Sequence, residues 1–148
     1  MACVVLDKKY GYINKIGKIH IPIKYDNSKG FFKDGLVSVN FNGKSGFINK
    51  DGNEVIPIKY DGVRDFSEER AIVILNSKWG YVDQTGKEII PLKYDYATDF
   101  KYGIANVRLK DKYGAIDKTG KIVIPLEYEE LGLFLSSELT RVKLNGKY

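Results

Sequence analysis

The 148-residue chain has one cysteine, one histidine, one tryptophan and one methionine. A single thiol, Cys3, excludes an internal disulfide and fits a reducing, cytoplasmic setting. A single His20, with no second Cys or His beside it, leaves a Cys/His zinc set incomplete and gives a histidine-based triad no obvious partners. Long apolar runs are missing too. None approaches the roughly 20 residues that span a bilayer, and Met1-Ala2-Cys3-Val4-Val5-Leu6 meets Asp7 too early for the core of a secretory leader. No GxxxxGK[ST] loop occurs, so the glycines do not cradle a phosphate. No window holds an i, i+3, i+4 apolar stripe for three turns, which argues against long helices. The absences together lead us to expect no enzyme, no metal, no cofactor and no membrane partner.

Proline is scarce as well, but its four copies are informative. Pro22, Pro57, Pro91 and Pro125 are spaced by 35, 34 and 34 residues. Each sits in a copy of one peptide: KYGYINKIGKIHIPIKYD from Lys9, KSGFINKDGNEVIPIKYD from Lys44, KWGYVDQTGKEIIPLKYD from Lys78 and KYGAIDKTGKIVIPLEYE from Lys112. A fixed period in this range signals a tandem-repeat architecture. A residue type written four times is then structural first, because every copy solves the same folding problem.

Each copy reads as three strands. The first follows an aromatic-glycine pair (Gly11–Asn14, Gly46–Asn49, Gly80–Asp83, Gly114–Asp117) and ends in a glycine turn. The second carries the proline (Ile19–Lys24, Glu54–Lys59, Glu88–Lys93, Ile122–Glu127) and is expected at a sheet edge or on a bulge, since proline donates no hydrogen bond. In the third, Val37-Val39-Phe41, Ala71-Val73-Leu75, Ala105-Val107-Leu109 and Thr140-Val142-Leu144 mark one buried face by period-2 alternation. Its opposite face changes from copy to copy: Ser38/Asn40, Ile72/Ile74, Asn106/Arg108, Arg141/Lys143. The loops between second and third strands each hold one phenylalanine (Phe32, Phe66, Phe100, Phe134), expected to anchor the loop on the core. The fold expected is all-β: a tandem array of about four three-stranded antiparallel units over residues 1–148, divided near 9–43, 44–77, 78–111 and 112–146, with a partial unit at each end. Val4–Tyr10 matches Val142–Tyr148 in phase, which favours an open array over a closed ring.

The segment Lys78-Trp79-Gly80-Tyr81-Val82-Asp83, with Thr85-Gly86-Lys87 and Ile90-Pro91-Leu92-Lys93-Tyr94-Asp95, resembles the WG, or KWG, repeat family. Only Trp79 is the namesake residue; Tyr10, Ser45 and Tyr113 stand there in the other copies, and Ser45 departs furthest. The resemblance implies bacterial β-rich repeats without shared catalytic residues.

The remaining candidates have plain structural readings. His20 replaces an apolar strand residue (Val55, Ile89, Val123 elsewhere). Asp26, Asp61, Asp95 and Glu129 follow repeated tyrosines and read as turn-starting acids that bond their own backbone. The net charge of +5 and the lysine–tyrosine excess are a footprint for single-stranded nucleic acid, though the tyrosines recur in phase with the strands. A constant core with one variable face points instead to a protein partner. On that face Ile72 and Ile74 are the expected apolar anchors, and Arg108, Arg141 and Lys143 the polar rim. The leading expectation is a non-enzymatic protein-binding module, acting as a small inhibitor or immunity protein that occludes a bacterial partner. A basic nucleic-acid binder is second, and a carbohydrate-binding module third.

Overall fold

A computed structural model describes residues 1–132, 142–145 and 147. Among the described residues every regular element is a β-strand. The chain divides into two compact units, Met1–Val63 and Arg64–Tyr148.

In the first unit, β1 (Ala2–Leu6), β2 (Lys9–Ile13) and β3 (Ile19–Tyr25) form an antiparallel sheet in that order. A second sheet runs β4 (Asn27–Ser28), β5 (Leu36–Phe41), β6 (Lys44–Asn49), β7 (Glu54–Tyr60). A two-residue strand, β8 (Gly62–Val63), ends the unit. In the second unit, β9 (Ala71–Leu75), β10 (Lys78–Val82) and β11 (Glu88–Tyr94) pair in order. β12 (Tyr96–Ala97), β13 (Ile104–Leu109), β14 (Lys112–Asp117) and β15 (Ile122–Tyr128) make the next sheet, and β16 (Glu130–Leu131) pairs with β17 (Val142–Lys143).

The proline strands β3, β7, β11 and β15 lie at sheet edges and are bulged, as the missing amide proton requires. In the second sheet Ser45 pairs with Tyr60 and Phe47 with Ile56, so Pro57-Ile58-Lys59 arches over Gly46 alone. A Cβ on Gly46 would lie 2.5 Å from the Ile56 carbonyl oxygen and 2.8 Å from Ile58 Cα. Gly80 and Gly114 meet the same crossing at 2.6 Å from the oxygens of Ile90 and Ile124. The glycine after the aromatic and the proline two strand positions away are one device: the backbones touch, and only glycine admits the contact.

The written repeat and the sheet are out of phase. The expected cuts at 43/44 and 77/78 fall at hairpin turns, while hydrogen bonding joins β5 to β6 and β9 to β10 across them. The sheet β4-β5-β6-β7 thus takes its first two strands from one copy and its last two from the next, and so does β12-β13-β14-β15.

Within each unit the sheets stack, back of one on front of the next. Tyr12, Ile21 and Tyr25 of the first sheet pack against Val37, Val39 and Ile48 of the second. Ile72, Tyr81, Ile90 and Tyr94 pack against Ala97, Phe100, Ala105, Val107 and Ile116. Phe32 lies against Tyr12 (ring centroids 5.0 Å apart) and Phe100 against Tyr81 (4.9 Å), so these loop phenylalanines do anchor on the core; Phe134 lies outside the described residues. Stacking corrects one expectation. The face opposite Val73 does not open to water in the second unit: Ile72 is 1% exposed, because the following sheet covers it.

Candidate functional site

The residues expected to form a partner surface do not assemble into one. Ile72 is core and offers no apolar anchor to a partner, while Ile74 is half-buried against the same cluster. Arg108 is half-buried, its guanidinium 5.8 Å from the Tyr113 ring centroid and its buried Nε without a hydrogen-bond partner among the described residues. Lys143 forms an ion pair with Glu130 at 3.1 Å. Arg141 lies outside the described residues.

The other candidates take structural places. His20 is exposed, with Nε2 3.1 Å from the Lys50 carbonyl oxygen. Among the described residues no cluster of three metal-ligating side chains occurs. Burial pushes the half-buried Cys3 thiol up, which disfavours the thiolate. Asp26 and Asp95 reach lysine and hairpin partners far along the chain, where local backbone bonds were expected. Asp26 accepts from the Lys9 ammonium and, at 2.6 Å, from the Asn42 amide. Asp95 accepts from Lys78 at 2.5 Å and from the Lys110 amide at 2.8 Å. Asp26 and Asp95 each tie the start of their own copy to the hairpin that ends it, and the lysine holds each of these two carboxyls below the usual carboxylate range. The long-range partner wins because the acid's own amide is already engaged, Asp26 N with Asn40 O and Asp95 N with Arg108 O.

A concave site lies in the first unit. A cleft of about 400 Å³ opens over β4, β5 and β6. Its lining is neutral and polar (Asn27, Ser28, Ser38, Asn40, Ser45), with Val39, whose side chain belongs to the core behind, at its floor, Val63 as an apolar wall and Lys29 at the rim. Asn40 and Ser45 are cross-strand partners, and Asn40 Nδ2 donates to Ser45 Oγ at 3.2 Å. Ser28 Oγ pairs with the Tyr12 hydroxyl at 2.5 Å, which fixes the inner wall.

The cleft exists because side chains are missing from a frame the chain fills elsewhere. In the second unit the same cross-strand pair is Ile74 and Trp79, and the Trp79 ring lies 5.2 Å from that of Tyr96. The Arg64 guanidinium stands 5.2 Å from the Trp79 ring centroid. The next sheet carries Arg108 and Tyr113 in that row. In the first unit Ser45 replaces the indole and Gly62 takes the position of Tyr96, so two rings are absent at once. Ser45 was visible in the sequence as a departure from the pattern. That the departure leaves a hole depends also on Gly62, which nothing local links to it.

Comparison with curated proteins and with solved structures gives no match. A family model described as a WG containing repeat matches residues 10–44, 46–79, 79–113 and 113–148. The aromatic-glycine pairs, the proline edges and four matches in tandem agree, and the chain belongs to the family of WG-containing repeats.

Proposed function

We propose that the chain is a non-catalytic protein-binding module that acts by occluding a bacterial partner, as a small inhibitor or immunity protein does. The observation that carries this reading is a constant frame in which one equivalent cross-strand pair varies from copy to copy. The positions of Ser45, Trp79 and Tyr113 share a register with their neighbouring strands, while the pairs Asn40/Ser45, Ile74/Trp79 and Arg108/Tyr113 run from polar to apolar to cationic. Repeat proteins vary the positions that face partners and keep those that hold the fold. The cleft over Ser45 lies at the first unit's instance of these positions, with convergent hydrogen-bonding groups of the kind binding sites use.

A nucleic-acid binder is the second reading, favoured by the net charge of +5. Its aromatic half finds less support. Tyr25, Tyr60 and Tyr94 are at most 3% exposed, which removes them as stacking platforms. Their neighbours Lys24, Lys59 and Lys93 lie 5.1 to 5.3 Å from the ring centroids.

The test is affinity capture on immobilised full-length chain, with and without nuclease, followed by an activity assay of whatever is captured. A protein retained after nuclease treatment, whose activity falls when the chain is added in solution, supports the proposal. Captured material that disappears with nuclease sinks it and favours the second reading.

A further inference from the structure

We infer that the cleft over Ser45 is a receptor for one aromatic side chain, a tyrosine or tryptophan, presented by the partner protein; this rests on the protein-binding reading above. The argument is one of self-template. Three copies supply their own ring at this position: Tyr10, Trp79 and Tyr113. In all four the backbone register is the same: Val5, Tyr10 and Tyr25 align across three strands, as do Asn40, Ser45 and Tyr60, then Ile74, Trp79 and Tyr94, then Arg108, Tyr113 and Tyr128. The frame around Ser45 is therefore one that the same chain packs with a ring in every other copy. A partner's ring entering there restores the packing that the chain lacks.

The lining selects which ring. Asn40 and Ser45 bond each other, yet the Asn40 carbonyl keeps capacity to accept, and a phenyl group would cover it without supplying a donor, which is costly for a polar group. A phenol or indole carries one polar atom on a flat apolar body, and its O–H or N–H can donate to the Asn40 carbonyl or a serine oxygen. The apolar wall at Val63 then meets the body of the ring. Lys29 takes the position of Arg64, whose guanidinium stands over the indole in the second unit, so a cation borders the ring's place here too. The cleft volume of about 400 Å³ has room for a ring of either type together with part of the backbone that carries it.

The test uses the full chain, N-acetyl-tyrosinamide and N-acetyl-tryptophanamide as probes, and N-acetyl-leucinamide as the control. Backbone amide NMR shifts are followed as each is titrated to tens of millimolar. The inference expects saturable shifts at Asn27, Ser28, Ser38, Asn40 and Ser45 for the two ring probes, none for the leucine control, and at least tenfold weaker binding in Ser45→Trp, which fills the cleft. Ser45→Tyr, the residue of the first and fourth copies, serves the same purpose if tryptophan disturbs the spectrum elsewhere. No saturable shift, equal shifts with the leucine control, or ring binding unchanged in the filled variants would each overturn the inference. If the ring probes bind as expected and capture yields no protein, the aromatic site stands and the protein-binding reading falls. If capture succeeds equally well with Ser45→Trp, that reading stands and the cleft is not the partner's receptor.

Discussion

At the scale of single residues, the glycines do two different jobs, and substitution separates them. Gly46 is held by contact: its missing Cβ leaves room for the carbonyl of Ile56. Gly17 is held by conformation: its φ is +78° and nothing lies within 4 Å of a Cβ placed there. Gly46→Ala should therefore cost about 3 kcal/mol, since two backbones must part. Gly17→Ala should cost about 1 kcal/mol, the usual penalty for left-handed backbone. Urea unfolding of both variants checks the order, and equal costs would contradict the crossing. The turn acids make a second residue-scale case. Asp83 and Asp117 each accept from the amides two and four residues on and from a threonine hydroxyl, which is the main reason their carboxyls sit below the usual range. A lowered native pKa contributes stability that is full above the unfolded value, about 3.9, and is lost as pH falls through the native one. Asn14 and Asn49 make the same amide contacts with no charge. Asp83→Asn with Asp117→Asn should thus melt somewhat below the parent at pH 7, having given up that charge-linked stability, and lose less stability as pH falls below about 4. A melting curve as acid-sensitive as the parent's would remove the basis for this assignment.

At the scale of elements, the hairpins show where the chain departs from the best local chemistry. Two-residue connections with left-handed backbone join β1 to β2 (Asp7-Lys8), β5 to β6 (Asn42-Gly43), β9 to β10 (Asn76-Ser77) and β13 to β14 (Lys110-Asp111). Only one is the favoured Asn-Gly. Ser77 and Asp111 both have φ of 60°. Glycine there relieves about 1 to 2 kcal/mol of conformational strain and adds about 0.5 to 1 kcal/mol of unfolded-chain entropy. Ser77→Gly and Asp111→Gly should each stabilise by about 0.5 kcal/mol, read as a raised midpoint in urea; a lowered midpoint in both would mean the side chains do more than fill the turn. Strands, glycine turns and proline edges were legible in the sequence because each is written four times. The covering of the second face was not. Period-2 alternation tells which residues share a face, but Ser38 and Ile72 vary in the same way whether water or another sheet lies opposite. The cleft was half legible: Ser45 stood out, while its pairing with Gly62 needs the fold.

At the scale of the whole molecule, the stacked cores set the tolerance for damage. Val73 is fully buried, and Val73→Asp places an unpaired charge there. The expected loss exceeds about 4 kcal/mol, enough to unfold the second unit's core, and a circular dichroism melt like the parent's would show the burial to be wrong. Net charge also acts at this scale. A short single strand should bind no tighter than tens of micromolar at low salt and should release steeply as salt rises. A tight, salt-sensitive complex would reverse the ranking of the two functions. The offset between copy and sheet reaches further, into synthesis. A sheet opens with a strand from one copy and closes with the proline strand of the next. On the ribosome, therefore, no copy can finish a sheet as it emerges. Each waits, with its opening strand exposed, until the following proline clears the exit tunnel, so folding trails translation by about half a repeat along the length of the array.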